Sequence, residues 1–157
     1  MSSKTPYLHQ RPRSALSLSD DWETPPELYN MLCDKYGVHP TLDACATHET
    51  SKCDSCFTPE ANALKQQWHA KEVWCNPPHS LNAQFVAKAC EQWAKWDQTI
   101  MMILPSNTMS SVYWHTYIEG NAEYHAIKGR IRFKLGGVRS EHVSRNAYVV
   151  IIFRRRE

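Results

Sequence analysis

Val73-Trp74-Cys75-Asn76-Pro77-Pro78-His79 is an apolar run that stops at a carboxamide followed by two prolines. Each proline locks its own φ and restricts the residue before it. A strand that ends this way therefore holds the Asn76 side-chain carbonyl and the Pro77 backbone carbonyl in a fixed relation. Two neighbouring acceptors of this kind can grip an amino group. A plain strand-ending turn is the competing reading, because Asn-Pro pairs favour turns anyway, so the surrounding chain has to decide.

Downstream, Leu81 to Trp96 carries Phe85, Val86, Ala89, Cys90 and Trp93 at helical spacing. Thr99 to Leu104 is a continuous apolar run of the kind buried on both faces of a sheet, closed by Pro105. Upstream, Thr41 to Ala44 reads as a short strand. Before it, Thr24-Pro25-Pro26-Glu27 supplies a helix start: Thr24 as cap, Pro25 at the first helical position and Glu27 placed for a capping box. Leu28, Met31, Leu32 and Tyr36 form that helix's apolar stripe, and Gly37 ends it. A weaker helix is expected over Ser111 to Ile118, with strands around Glu123 to Leu135 and Ala147 to Phe153. Strands alternating with helices predict an α/β fold, one open sheet flanked by helices. In such sheets ligands sit beyond the carboxyl ends of strands, where Asp43 and Asn76 both fall. A turn-forming or capping role is the bland alternative for Asp43.

The 157 residues suit one domain able to bury about two thirds of its unfolded surface. Residues 1 to 20 are rich in Ser, Pro and basic side chains without apolar periodicity, which predicts a mobile arm ahead of a domain spanning residues 21–157. With no signal peptide and no membrane-length apolar run, a reducing cytoplasmic setting is expected, with the six cysteines as free thiols. Cys45, His48, Cys53 and Cys56 raise a zinc alternative: Cys53-x-x-Cys56 has ligand spacing but lacks a second spaced pair. The net charge of +2 hides a lopsided distribution, since half of all Lys and Arg lie between Lys128 and Arg156 against the single acid Glu141. Lys128, Arg130, Arg132 and Lys134 alternate with Ile131, Phe133 and Leu135, as in a strand with one packed and one cationic face. Together with Arg139 and Arg145 these are candidates for phosphate contact, although a solvated strand face looks similar.

The motifs also occur in a telling order: Trp22-Glu23-Thr24-Pro25, Leu42-Asp43-Ala44-Cys45-Ala46-Thr47, Cys53, Phe57-Thr58-Pro59-Glu60, Leu64, Trp68, the Asn76 tetrapeptide, Ile103-Leu104-Pro105 and Lys128 to Phe133. In this order the chain from Trp22 to about Phe153 resembles the small phage-type, Dam-like DNA N6-adenine methyltransferases. The resemblance implies a Rossmann-like methyltransferase fold, S-adenosylmethionine as methyl donor and DNA as partner, the target base flipped or single stranded. It implies catalysis at Asn76, Pro77, Pro78 and His79, with His79 stacking on the base. By the same likeness Trp22, Thr24, Pro25, Asp43, Ala44, Cys45, Glu60 and Asn62 would line the donor's pocket. No metal is implied.

Two departures stand out: no glycine follows the first strand, and His79 replaces the usual Tyr or Phe. An imidazole stacks over less area and titrates near neutrality. Only the loops Ser106 to Ser111 and Gly136 to Asn146 remain to read sequence, so short or relaxed specificity is expected. The rival functions are methylation of RNA adenine or of cytosine N4, and a catalytically silent nucleic-acid binder, with or without zinc. Oligomeric state is open, a dimer included.

Overall fold

In the computed structural model, which describes residues 22–135, 138–139 and 143–156, the Glu72–Cys75 run lies inside a six-stranded sheet. The expected arm over residues 1–20 is outside the described residues. In chain order the elements are α1 (Pro26–Tyr36), β1 (Leu42–Asp43), β2 (Ser55–Cys56), β3 (Glu72–Cys75) and α2 (Asn82–Trp96). They continue with β4 (Thr99–Pro105), β5 (Glu123–Ala126), β6 (Lys134–Leu135), β7 (Val138–Arg139) and β8 (Tyr148–Phe153). The sheet runs β2-β1-β3-β4-β8-β5, while β6 and β7 form a separate antiparallel pair. The first four strands are mutually parallel; β8 is antiparallel to both its neighbours. This is the expected α/β architecture.

Both faces of the sheet are covered, which is why β4 and β8 are buried throughout and, Thr99 apart, apolar. On one side Phe85, Val86, Ala89 and Trp93 of α2 pack with Val73, Cys75, Ile100, Met102 and Leu104. On the other, Leu32 and Cys33 of α1 pack with Trp74, Met101, Ile103, Ile131 and Phe133. Alternate residues of β4 thus feed opposite cores, as a pleated strand requires. No helix among the described residues is long and apolar enough to cross a membrane.

Four expectations change. The first helix starts at Pro26, not Pro25: Pro25 sits at φ −58°, ψ 136°, because a residue followed by proline is driven out of the helical region. Pro25, at the N-cap, makes no side-chain cap hydrogen bond. Second, the strand expected from Glu123 to Leu135 ends at Ala126. Gly129 then takes φ 78°, a left-handed turn that breaks the ladder. Residues 127–133 are irregular, yet Ile131 and Phe133 are still buried and Lys128 and Arg130 still exposed, whereas Leu135, expected on the packed face, is exposed. Third, the two-residue strand β2 lies in a stretch assigned no element from sequence. The weaker helix is a short π-helical segment, Trp114–Ile118, preceded by a 3-10 turn over Ser106–Ser110.

Candidate active site

From β1 the chain crosses to β2 on one side, and the following strand β3 docks on the other. The strand order therefore reverses between β1 and β3, and the crevice beyond their carboxyl ends is where open α/β sheets bind ligands. Asp43 ends β1 and Asn76 follows β3 directly. The Ala44 N–H donates to the Trp74 carbonyl at 2.8 Å, holding the two exits together.

The Asn76 carboxamide is oriented by a segment more than fifty residues away. Its Nδ2 donates to the Thr24 hydroxyl at 3.0 Å and to the Trp22 carbonyl at 3.3 Å. With both amide hydrogens committed, Oδ1 is the end left for an incoming donor. Thr24 is buried, so the hydroxyl expected to cap a helix instead orients the amide. The Trp22 ring stacks on Phe133, with centroids 5.2 Å apart, and meets His79 edge-on at 5.9 Å. Pro77 and Pro78 are buried, which clamps the loop between Asn76 and the 3-10 turn that starts at His79.

His79 Nε2 lies 2.7 Å from the hydroxyl of Tyr148, the first residue of β8. Burial pushes the Tyr148 phenol well above its ordinary range, so its proton remains available to the imidazole. No spacing in the sequence singles out this partner.

Asp43 is buried and its carboxylate spends both oxygens on the next loop. Oδ1 accepts from the Cys45 N–H at 3.1 Å and Oδ2 from the Lys52 N–H at 3.0 Å. Burial raises its pKa from 3.8 to about 6, with the two N–H groups opposing the rise. Lys52, which the sequence reading passed over, has its ammonium pKa lowered by burial against the pull of Asp43. Asp43 thus fixes the loop over residues 44–52, in which Ala44 is buried and Cys45 half-buried. Pro25 is buried beside Thr24. Glu60 and Asn62 lie on the loop after β2. Glu60 is exposed, and Asn62, at φ 58°, accepts from the Leu64 N–H at 3.2 Å. Among the described residues no hydrogen bond ties either to the Asn76 cluster.

The basic stretch adjoins this site. Lys134 exchanges backbone hydrogen bonds with Glu23 at 2.8 and 2.9 Å, which anchors it beside Trp22 and Thr24. Lys128, Arg130 and Arg145 are exposed, Arg132 and Lys134 half-buried. The Arg130 guanidinium donates to the Arg145 carbonyl; Arg139 pairs through its backbone with Lys134. The zinc alternative gains nothing. Cys56 Sγ lies 3.8 Å from His48 Nδ1, but Cys53 turns away to Tyr29 and the Pro40 carbonyl. No group of three His, Cys, Asp or Glu among the described residues is placed to hold a metal.

Residues 13–157 match the family described as DNA N-6-adenine-methyltransferase (Dam). A DNA N-6-adenine-methyltransferase of Escherichia phage T1 is 39% identical over 107 residues, covering 68% of this chain and 43% of that protein. One from Haemophilus phage HP1 is 31% identical over 104 residues, covering 66% of this chain and 59% of that protein. The alignments thus span about half the length of these curated relatives. Among solved structures, a proposed RNA methyltransferase from Pyrococcus horikoshii superposes with a TM-score of 0.59 at 12% identity, over 93% of this chain and 90% of that one. At that identity the likeness concerns the fold.

Proposed function

Because the chain belongs to the DNA N-6-adenine-methyltransferase (Dam) family, we propose that it transfers a methyl group from S-adenosylmethionine to the exocyclic N6 of adenine in DNA. The observation that carries this reading is the orientation of Asn76. Its Nδ2 is tied to Thr24 and Trp22, which leaves Oδ1 to accept from a substrate at a sheet switch point.

The adenine amino group is a poor nucleophile because its lone pair is delocalised into the ring. Two fixed acceptors taking its two hydrogens favour a pyramidal nitrogen with a localised lone pair, a case of preorganised dipoles acting where charge develops. No strong base is required, since the proton leaves after the nitrogen has gained the methyl group and become acidic. His79, steadied by Tyr148, provides a flat face for the base. When bound, S-adenosylmethionine supplies an electrophilic methyl group on a sulfonium. Of the residues expected around it, half-buried Trp22 and Cys45 keep surface to offer, while Ala44 and Pro25 are buried and back the neighbouring chain. Asp43 contributes by shaping the loop, with Glu60 and Asn62 at the periphery.

The target base has to leave its stack to reach a strand-end pocket. Lys128, Arg130, Arg132, Lys134, Arg139 and Arg145 hold the flanking phosphates, and recognition is short or relaxed. Exposed Lys128 isolates this role. Lys128→Ala is expected to weaken DNA binding in every sequence context and to reduce the slope of log affinity against log salt by about one. Anisotropy titrations across a salt series measure both. The reaction itself is tested by nucleoside mass spectrometry after incubating unmethylated DNA with the full chain and S-adenosylmethionine. N6-methyladenine is the expected product; N4-methylcytosine instead, or methylation of RNA alone, would overturn the assignment.

A further inference from the structure

His79 also borders a cavity of about 400 Å³ whose lining includes neither Asn76 nor Pro77. Three separate stretches build it: the start of α2 gives Asn82 and Gln84, the turn after β4 gives Asn107, and the approach to β8 gives Asn146. Tyr113 supplies a second ring. No permanently charged side chain lines it among the described residues, which speaks against a phosphate or a metal ion. Four carboxamides equally speak against an apolar ligand. Asn82 is buried, with 8% of its surface exposed, and its Oδ1 has no hydrogen-bond partner. That oxygen is sealed beneath the wall, so the carboxamide edges open to a ligand are those of exposed Gln84 and Asn107 and half-buried Asn146.

Resting on the methyl-transfer reading above, we infer that this cavity receives a second base of the substrate strand, next to the target, and reads its edge. A carboxamide presents a donor beside an acceptor. That matches the N6 amino group and N7 of adenine, whereas the paired acceptors O6 and N7 of guanine suit Arg or Lys, which the lining lacks. The rings of His79 and Tyr113 offer faces on which a base stacks. The volume lies at the small end of the range for small-molecule sites, fitting one nucleoside and not a helix or strand. The target amino group must meet Asn76 Oδ1 and the Pro77 carbonyl, so the target base lies elsewhere. The shared His79 wall makes the two bases neighbours.

The test is kcat/KM on oligonucleotides with one target adenine and each of the four bases at the positions flanking it. The wild type is compared with Gln84→Ala and Asn107→Ala, both at exposed positions where folding tolerates truncation. The wild type is expected to favour adenine over guanine at one flanking position by about tenfold. Each variant should cut that ratio below about threefold, chiefly through KM on the preferred sequence, with affinity for S-adenosylmethionine within about twofold of the wild type. Wild-type methylation without any flanking preference overturns the proposal, as does an equal loss in all four contexts. No methylation of any oligonucleotide overturns the methyl-transfer reading, and this proposal with it.

Discussion

Asn76→Ala is expected to lower kcat by about 10²- to 10³-fold while leaving affinity for S-adenosylmethionine within about threefold, because it deletes a fixed acceptor at the reacting nitrogen. The more discriminating variants lie at Thr24, whose hydroxyl receives Asn76 Nδ2 at 3.0 Å. Thr24→Val keeps the buried shape and removes the acceptor. The carboxamide can then rotate and present Nδ2 to the substrate, where a donor meets a donor. A kcat loss of about tenfold or more follows if the flipped amide is repulsive and populated to a similar degree. Thr24→Ser retains the hydroxyl and should recover most of that loss. A purely structural Thr24 would show the reverse split: both variants would lose thermal stability, and kcat at saturating substrates would stay level. Single-turnover rates with bound cofactor, measured beside melting temperatures, separate the two cases. Equal rates for the Val and Ser variants would remove Thr24 from the positioning of Asn76.

Thr24 also shows where reading the sequence fails. By local rules, a Thr ahead of two prolines and a Glu is a helix cap. The tertiary partner wins because Pro26 pushes Pro25 into extended geometry and the hydroxyl reaches Asn76, 52 positions on. The Tyr148 contact to His79 spans 69 positions and carries no local signature. What was legible rests on long-range burial written as composition. Ile100–Pro105 and Tyr148–Phe153 are apolar because helices or irregular segments cover both sides of the sheet. Strand β2 was not legible, since two residues, one exposed and one half-buried, show no period. The alternation from Lys128 to Leu135 predicted the burial of Ile131 and Phe133 correctly, missed the exposure of Leu135, and gave the secondary structure wrongly ahead of Lys134. In and out can alternate along an irregular chain, and the left-handed turn at Gly129 breaks the ladder without disturbing where Ile131 and Phe133 point. The tetrapeptide after β3 was legible because two prolines encode their geometry locally.

Asp43 should make folding stability fall as pH rises from about 4 to about 6.5, opposite to the usual behaviour of a carboxylate held by a salt bridge. Its folded pKa is raised from 3.8 to about 6 by burial. Between those values the native state holds a proton that the unfolded chain has released, and deprotonation costs the fold. From the gap between the two values the cost is about 3 kcal/mol across the window, and none further is added above it. Glu123 works the other way, its pKa lowered chiefly by the hydrogen bond from Arg154, so the raw stability curve mixes two slopes. Subtracting Asp43→Asn, which cannot ionise, isolates the first. The advantage of wild type over this variant in urea denaturation should be largest near pH 4 and shrink by about 3 kcal/mol by pH 6.5. Asp43→Ala leaves the Cys45 and Lys52 N–H groups without acceptors, at about 1–3 kcal/mol each where water cannot replace the carboxylate. That variant should also loosen the 44–52 loop and weaken S-adenosylmethionine binding along with stability. A difference between wild type and Asp43→Asn that stays flat from pH 4 to 6.5 would show that the carboxylate does not titrate in this range. The loop would then be held by a group ionised throughout, and cofactor affinity would lose the acid-side dependence that protonation of Asp43 imposes on it.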